Sequence, residues 1–307
     1  MMQTLEEIKQ KVRTKRKQKV SVANPADQEV LLAIKYALEQ DFCTFLLVGD
    51  SEKIRSAASD IALELDPRYI NIEDVKGESE IARVAVSAVH NRKADILMKG
   101  NIATKSLLRA VLHKEYGLRS GQVLSHVALF EIPGQDRLFF LTDAAMNIEP
   151  DLKVKAQIIQ NAVKVARGIG YQRPRVAILA PVEVVNEEMQ STIDAAILTQ
   201  MQVRGQITGC TVDGPLAFDN AVSFEAATHK DIQSEVAGNA DILMVPSIEV
   251  GNALYKSFVY FAEAKVAAVV SGAKAPIVLT SRADSAESKL NSLALALLSS
   301  TTFEEEN

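Results

Sequence analysis

The chain has 307 residues, 48% hydrophobic and 24% charged, with a formal net charge of −5. That length and apolar content support a large buried core and two domains more readily than one, and exclude a disordered or fibrous chain. The acidic balance excludes a general nucleic-acid binder, and two cysteines without ligand spacing, Cys43 and Cys210, exclude a disulfide framework and fit a reducing cytoplasm.

The amino terminus is polar and lacks the apolar core of a signal peptide, and the basic run KVRTKRKQK (Lys11 to Lys19) reads as a solvated face. Strand-like apolar runs then recur, each followed by a helical pattern: KVSVA before NPADQEVLLAIKYALEQ, CTFLLVGD before SEKIRSAASDIALEL, and ADILMKG before NIATKSLLRAVLHKEYG. The segment FEIPGQDRLFFLTDAAMN turns at Pro133 to Asp136 between two apolar runs and predicts an antiparallel hairpin. Asn147 to Asp151 forms a turn-and-cap cluster opening a long amphipathic helix, and a domain boundary is placed here. The later half repeats the alternation with RVAILAPVEVV before NEEMQSTIDAAILTQM, ADILMVPS before IEVGNALYKSFVYFAEA, and KVAAVV. Between them DGPLAFDNAVS (Asp213 to Ser223) reads as a polar loop. Leucines at 290, 293, 297 and 298 mark one buried helical face, with Asp284 as expected N-cap and Glu287 as its capping-box partner.

Such alternation predicts an α/β protein with mainly parallel sheets. Parallel sheets bind ligands beyond the carboxyl ends of their strands, which selects the loops Lys99 to Asn101, Asp143 to Asn147 and Pro246 to Asn252. Apolar runs such as VAAVVSGAKAPIVL are broken by Gly, Lys and Pro short of the roughly 20 residues that cross a bilayer, so no membrane partner and a cytoplasmic location are expected.

The chain has no HExxH, GxSxG, GxGxxG after a strand, or GxxxxGK[ST] motif. Its four histidines are scattered, no metal site is expected, and only His126, beside Ser125, keeps a functional reading. Three features suit an anion. Lys99, Gly100, Asn101 and Thr104 lie where a strand ends and a helix opens, so backbone amides, an ammonium and a hydroxyl converge. Ser281 and Arg282 precede the last helix, where a guanidinium matches phosphate geometry but opposes the positive helix pole, so a negative ligand belongs there. The third is the acid- and asparagine-bearing loop from Asp213 to Ser223.

DGPLAFDNAVS, ADILMVPSIEVGNALYKSFVYFAEA and VSGAKAPIVLTSRADS resemble the phosphate acetyltransferase/butyryltransferase family, as do ADILMKGNIATKSLLRAVL and LTDAAMNIEPDL in the first half. The KGN-x-x-T segment and the TSRADS ending are most similar to its butyryl branch. The resemblance implies two α/β domains of the isocitrate/isopropylmalate dehydrogenase-like type, with the active site in the interdomain cleft. The expected domains are 1–148 plus 272–307, made discontinuous by the last helix, and 149–271. It further implies reversible transfer of a short-chain acyl group, butyryl first, between coenzyme A and phosphate by a homodimer or larger homo-oligomer, with coenzyme A as co-substrate and no tightly bound cofactor.

Arg282 is expected to hold the phosphate, oriented by Ser281. By the same resemblance Lys99, Thr104, Ser125, Asn252, Lys256 and Asp219 bind substrate, with Asp143 and Asn147 shaping loops. Asn252 is also expected to cap a helix opening. The acetyl branch carries S-R-G-x-x-x-D-D; here Glu287 and Ser288 stand at the paired acids, so Glu287 or Asp284 is the candidate thiol base, Glu287 first, with capping the competing role of both. The alternatives are an acetyl, propionyl or branched acyl group, a metal- and nicotinamide-dependent dehydrogenase on the same fold, and a non-catalytic coenzyme A sensor.

Overall fold

The computed structural model describes residues 2–14, 16–281 and 283–300. Through the first part of the chain run α1 (Leu5–Val12), β1 (Gln18–Ala23), α2 (Gln28–Glu39), β2 (Cys43–Gly49), α3 (Ser51–Asp60), β3 (Ile70–Asp74), α4 (Glu78–His90), β4 (Ile96–Lys99) and α5 (Thr104–Val111). The middle holds β5 (Ser125–Glu131), β6 (Phe139–Thr142), α6 (Leu152–Gly168), β7 (Arg175–Leu179), α7 (Gln190–Val203), β8 (Thr211–Leu216), α8 (Phe218–Val222), α9 (Phe224–His229), β9 (Ile242–Met244) and α10 (Ile248–Tyr260). The chain closes with β10 (Lys265–Ser271), β11 (Ile277–Val278) and α11 (Ala286–Ser299).

These elements form two compact units. The split unit comprises Leu5–Gln122 and the chain from Ala267 onward; the continuous unit comprises Val123–Val266 with Met1–Thr4. The first division therefore falls at 122/123 and not at 148/149, because the hairpin β5–β6 is hydrogen-bonded through β6 to β9 and so joins the later strands. The second lies inside β10, at 266/267 rather than 271/272, and α11 returns to the split unit.

In the split unit the strands run β3-β2-β1-β4-β11-β10, with β3 through β11 parallel and β10 antiparallel to β11. The inner strands are apolar and buried, as strands covered by helices require; β1 ends in four buried residues and β4 is buried throughout. β3 is the edge strand, with only Ile70 buried, so its sequence carries no apolar run and gave no strand signal. Helices start on side-chain caps where the sequence supplies them: Asp27 accepts from Val30 N–H at α2 and Asp50 from Glu52 N–H at α3.

In the continuous unit the order is β5-β6-β9-β7-β8, antiparallel at the expected hairpin and parallel elsewhere. Asp151 caps the long α6 by accepting from Val154 N–H at 2.8 Å, as its turn-and-cap cluster predicts. The segment Asp213 to Ser223 is not a loop. It continues β8 through a cis Gly214–Pro215 peptide and then forms α8, because Val212 and Leu216 pack inward on either side of its polar residues.

Candidate active site

In the split unit, β1, β4 and β11 are parallel neighbours, with Ala23 opposite Lys99 and Val278 opposite Met98. Asn24, Gly100–Asn101 and Thr280–Ser281 therefore leave the sheet side by side at its carboxyl end. Gly100 N–H donates to Ala23 O at 2.9 Å, Asn101 N–H to Asn24 O at 2.6 Å, and Asn24 Nδ2 to Asn101 O at 2.5 Å. Only glycine fits at 100, since a Cβ there would lie 2.2 Å from Asn24 O.

A small pocket opens here, lined by Asp27, Val30, Lys99, Gly100, Asn101, Thr280, Ser281 and Lys289. Its roughly 10 Å³ of space for the centres of water-sized molecules is on the order of one water. Lys99 and Lys289 are 5% and 2% exposed, so two ammonium groups border the same few cubic ångströms while held from bulk water. Lys99 Nζ donates to Gly100 O at 3.3 Å and Thr280 O at 3.4 Å, and Lys289 Nζ to Ser281 O at 3.1 Å and to Asp284 O. Thr280 Oγ1 is buried without a hydrogen-bond partner among the described residues. Two buried cations and an unsatisfied hydroxyl make this site favourable to an anion that brings oxygen acceptors.

The approach to α11 departs from expectation. Ser285 is the N-cap, accepting from Ser288 N–H at 3.2 Å. Asp284 instead accepts from Ser281 N–H at 2.7 Å, closing the turn before the helix, while Ser281 Oγ accepts from Ala283 N–H at 3.3 Å. Asp284 is thus one residue too early to cap, and Glu287 is not at the capping-box position. Glu287 is exposed in the first turn of α11. Glu29 in α2 brings a carboxylate to this helix start, accepting from Ala286 N–H at 2.6 Å. Arg282 lies outside the described residues. Thr104 is the first residue of α5 and exposed, outside the pocket lining.

The continuous unit assembles a second group. β6 and β9 are parallel with Thr142 opposite Met244, so Asp143–Asn147 and the start of α10 emerge together. The Thr142–Asp143 peptide is cis, and buried Asp143 is fully engaged: Oδ1 accepts from Ala145 and Met146 N–H, both at 2.9 Å, and Oδ2 from Asn147 Nδ2 at 2.6 Å. Gly251 lets α10 press onto this turn, since a Cβ would meet Asp143 O at 2.5 Å and Ala144 Cα at 2.9 Å. Asn252 is not a cap, because Ser247 holds that place and Asn252 stands within the helix. It is exposed, with Nδ2 3.5 Å from Ala144 O, and Lys256, one turn later, is exposed also. Ser125 opens β5 fully buried, its hydroxyl accepting from Asn161 Nδ2 at 2.9 Å. Asp219 is exposed on α8, accepting from Asn220 N–H at 2.9 Å and standing 3.9 Å from Lys230 Nζ.

The structure thus brings Lys99 and Ser281 together in one unit, and Asn252 with the Asp143–Asn147 turn in the other. Sequence reasoning missed Thr280, Glu29 and Lys289. Only Lys289 left a signal, a charged residue beside Leu290 on the apolar side of α11. Among the described residues no three His, Cys, Asp or Glu side chains gather to hold a metal ion, and no helix is long and apolar enough to cross a membrane.

A sequence profile described as phosphate acetyl/butaryl transferase matches residues 70–297. A probable phosphate butyryltransferase of Bacillus subtilis is 55% identical over 92% of this chain and 94% of that protein. A phosphate acetyltransferase of Thermotoga maritima is 44% identical over 95% of this chain and 98% of that protein. Among solved structures, a branched-chain phosphotransacylase from Enterococcus faecalis superimposes with a TM-score of 0.81 and 38% identity, covering 92% of this chain and 98% of that one. At 13% identity and a TM-score of 0.54, a 4-hydroxythreonine-4-phosphate dehydrogenase from Klebsiella pneumoniae shares the fold alone.

Proposed function

The chain belongs to the phosphate acetyl/butaryl transferase family, and from that premise we propose that it transfers a short-chain acyl group, butyryl first, reversibly between coenzyme A and inorganic phosphate. The observation that carries the reading at the level of residues is the pocket bordered by two buried ammonium groups and an unpartnered threonine hydroxyl at the carboxyl ends of β4 and β11. A phosphate is larger than that space, so it rests at the mouth beside exposed Asn101 and Ser281, with Lys99 and Lys289 behind it. Arg282 supplies the forked grip, and Ser281 orients it.

Phosphate is itself the nucleophile. One of its oxygens bonds to the thioester carbonyl carbon, the carbon–sulfur bond breaks, and the thiolate departs. No enzyme nucleophile is needed, and the reaction proceeds by direct attack in a ternary complex, with the positive groups stabilising the oxyanion that forms. In the reverse direction Glu287, exposed at the start of α11, takes the thiol proton. Asn252 and Lys256, one turn apart on α10, together with Thr104, Ser125 and Asp219, serve substrate binding. Acetyl is the alternative acyl group, since one methylene in an apolar pocket is worth only about 1–3 kcal/mol. We place the enzyme in the cytoplasm as a homo-oligomer, a state that the exposed Tyr260 and Phe261 at the end of α10 support.

The test measures free thiol released from acetyl-, propionyl-, butyryl- and isobutyryl-coenzyme A, with and without phosphate and with metals chelated. Phosphate-dependent release is expected, fastest with butyryl; no release from any thioester refutes the reading. Initial rates plotted against both substrates should intersect, whereas parallel lines would establish a covalent intermediate. Arg282→Gln should raise the phosphate KM or lower turnover, and if it changes neither, the role assigned to Arg282 is lost.

A further inference from the structure

Lys289 occupies a position where the period of α11 calls for an apolar residue, and it is 2% exposed. An ammonium buried there is unfavourable unless its protons are taken up. The carbonyls of Ser281 and Asp284 take them up, and these two residues stand on either side of Arg282 in the chain. The turn does not need the lysine merely to close. Asp284 Oδ2 already holds Ser281 N–H, Asp284 N–H donates to Ser281 O at 3.3 Å, and Glu29 fastens the helix start at Ala286 N–H. What Lys289 adds is a fixed positive charge on the inner wall of the pocket that Lys99 and Thr280 also line.

We propose that Lys289 is a positioning residue for the acyl transfer. Its ammonium holds the carbonyls of Ser281 and Asp284, and so fixes how Ser281 presents its donors to phosphate. Its charge also draws the anion to this wall. The proposal rests on the phosphate acyltransferase reading and goes beyond it by having Lys289 act through the Ser281 and Asp284 carbonyls, as a positioning residue and not only as a nearby charge.

The experiment compares Lys289→Met, Lys289→Gln and Lys289→Arg with Ser285→Ala, which weakens the start of α11 without touching the lysine's carbonyl partners. Phosphate KM, butyryl-coenzyme A KM and thermal midpoint are measured for each. Losing charge-assisted hydrogen bonds at the phosphate side should raise phosphate KM in Lys289→Met on the order of tenfold, with the thioester KM within about twofold. Lys289→Arg should restore most of the loss, and Ser285→Ala should lower the thermal midpoint while leaving phosphate KM unchanged. Lys289→Gln retains donors without charge, and its phosphate KM should rise several-fold even if the methionine variant does not fold. An unmoved phosphate KM in the glutamine variant, or parallel rises in both KM values, overturns the proposal while the function stands. Unmutated protein without phosphate-dependent thiol release overturns both.

Discussion

Replacing Gly100 by alanine is the sharpest test of how the phosphate side is built. The added Cβ would lie 2.2 Å from Asn24 O and 2.7 Å from Ala23 O. Non-bonded contacts settle at about 3.5 Å, so the two loops must part by on the order of 1 Å. Both neighbours are backbone, and neither can swing aside like a side chain. Parting strains the Gly100 N–H to Ala23 O and Asn101 N–H to Asn24 O hydrogen bonds, 2.9 and 2.6 Å long. Two hydrogen bonds at about 1 kcal/mol each and overpacking of about 1–3 kcal/mol give a loss of about 3–5 kcal/mol. The same displacement moves Lys99 and the carbonyls around it, and a 1 Å misplacement of a positioning group reduces rate by up to about a hundredfold. Urea unfolding read by circular dichroism and phosphate saturation at fixed butyryl-coenzyme A measure the two effects. If Gly100→Ala keeps the parent's unfolding midpoint and phosphate KM, the close approach of residues 23–24 to 100–101 does not exist in solution.

Gly251→Ala makes the matching test in the continuous unit: its Cβ meets Asp143 O at 2.5 Å, so α10 must lift from the turn at about 1–3 kcal/mol, and the thioester KM should rise more than the phosphate KM. Burial pushes the Cys43 thiol up and Cys210 up to about 11, so neither should react with a thiol reagent at pH 8 until the protein is unfolded; fast reaction in the native state would contradict their packing. A hydrogen bond from Lys230 holds the Glu183 carboxyl below its ordinary value. A lowered carboxyl pKa stabilises the fold above the unfolded value of about 4.3 and ceases to do so as pH falls through the native one. Lys230→Ala should therefore flatten the acid limb of stability against pH, and an unaltered limb would show that the pair does not form.

The sequence by itself determined the alternation of strands and helices, the hairpin at Pro133–Asp136 and the cap at Asp151, because apolar periodicity and turn chemistry are local properties. It also singled out Lys99, Gly100 and Ser281, since a lysine–glycine pair at a strand end and a hydroxyl ahead of a helix are readable within a few residues. It held no sign of the edge strand β3, whose burial is confined to Ile70, and it set the N-cap of α11 one residue early because Asp284 and Ser285 are both good caps. Only tertiary structure decided that Glu29 from α2 fastens α11 and that Lys289 reaches the pocket of Lys99. Those contacts join residues up to 257 apart in the chain. Strand order and register set them, and no local pattern encodes which loops a parallel sheet will place side by side.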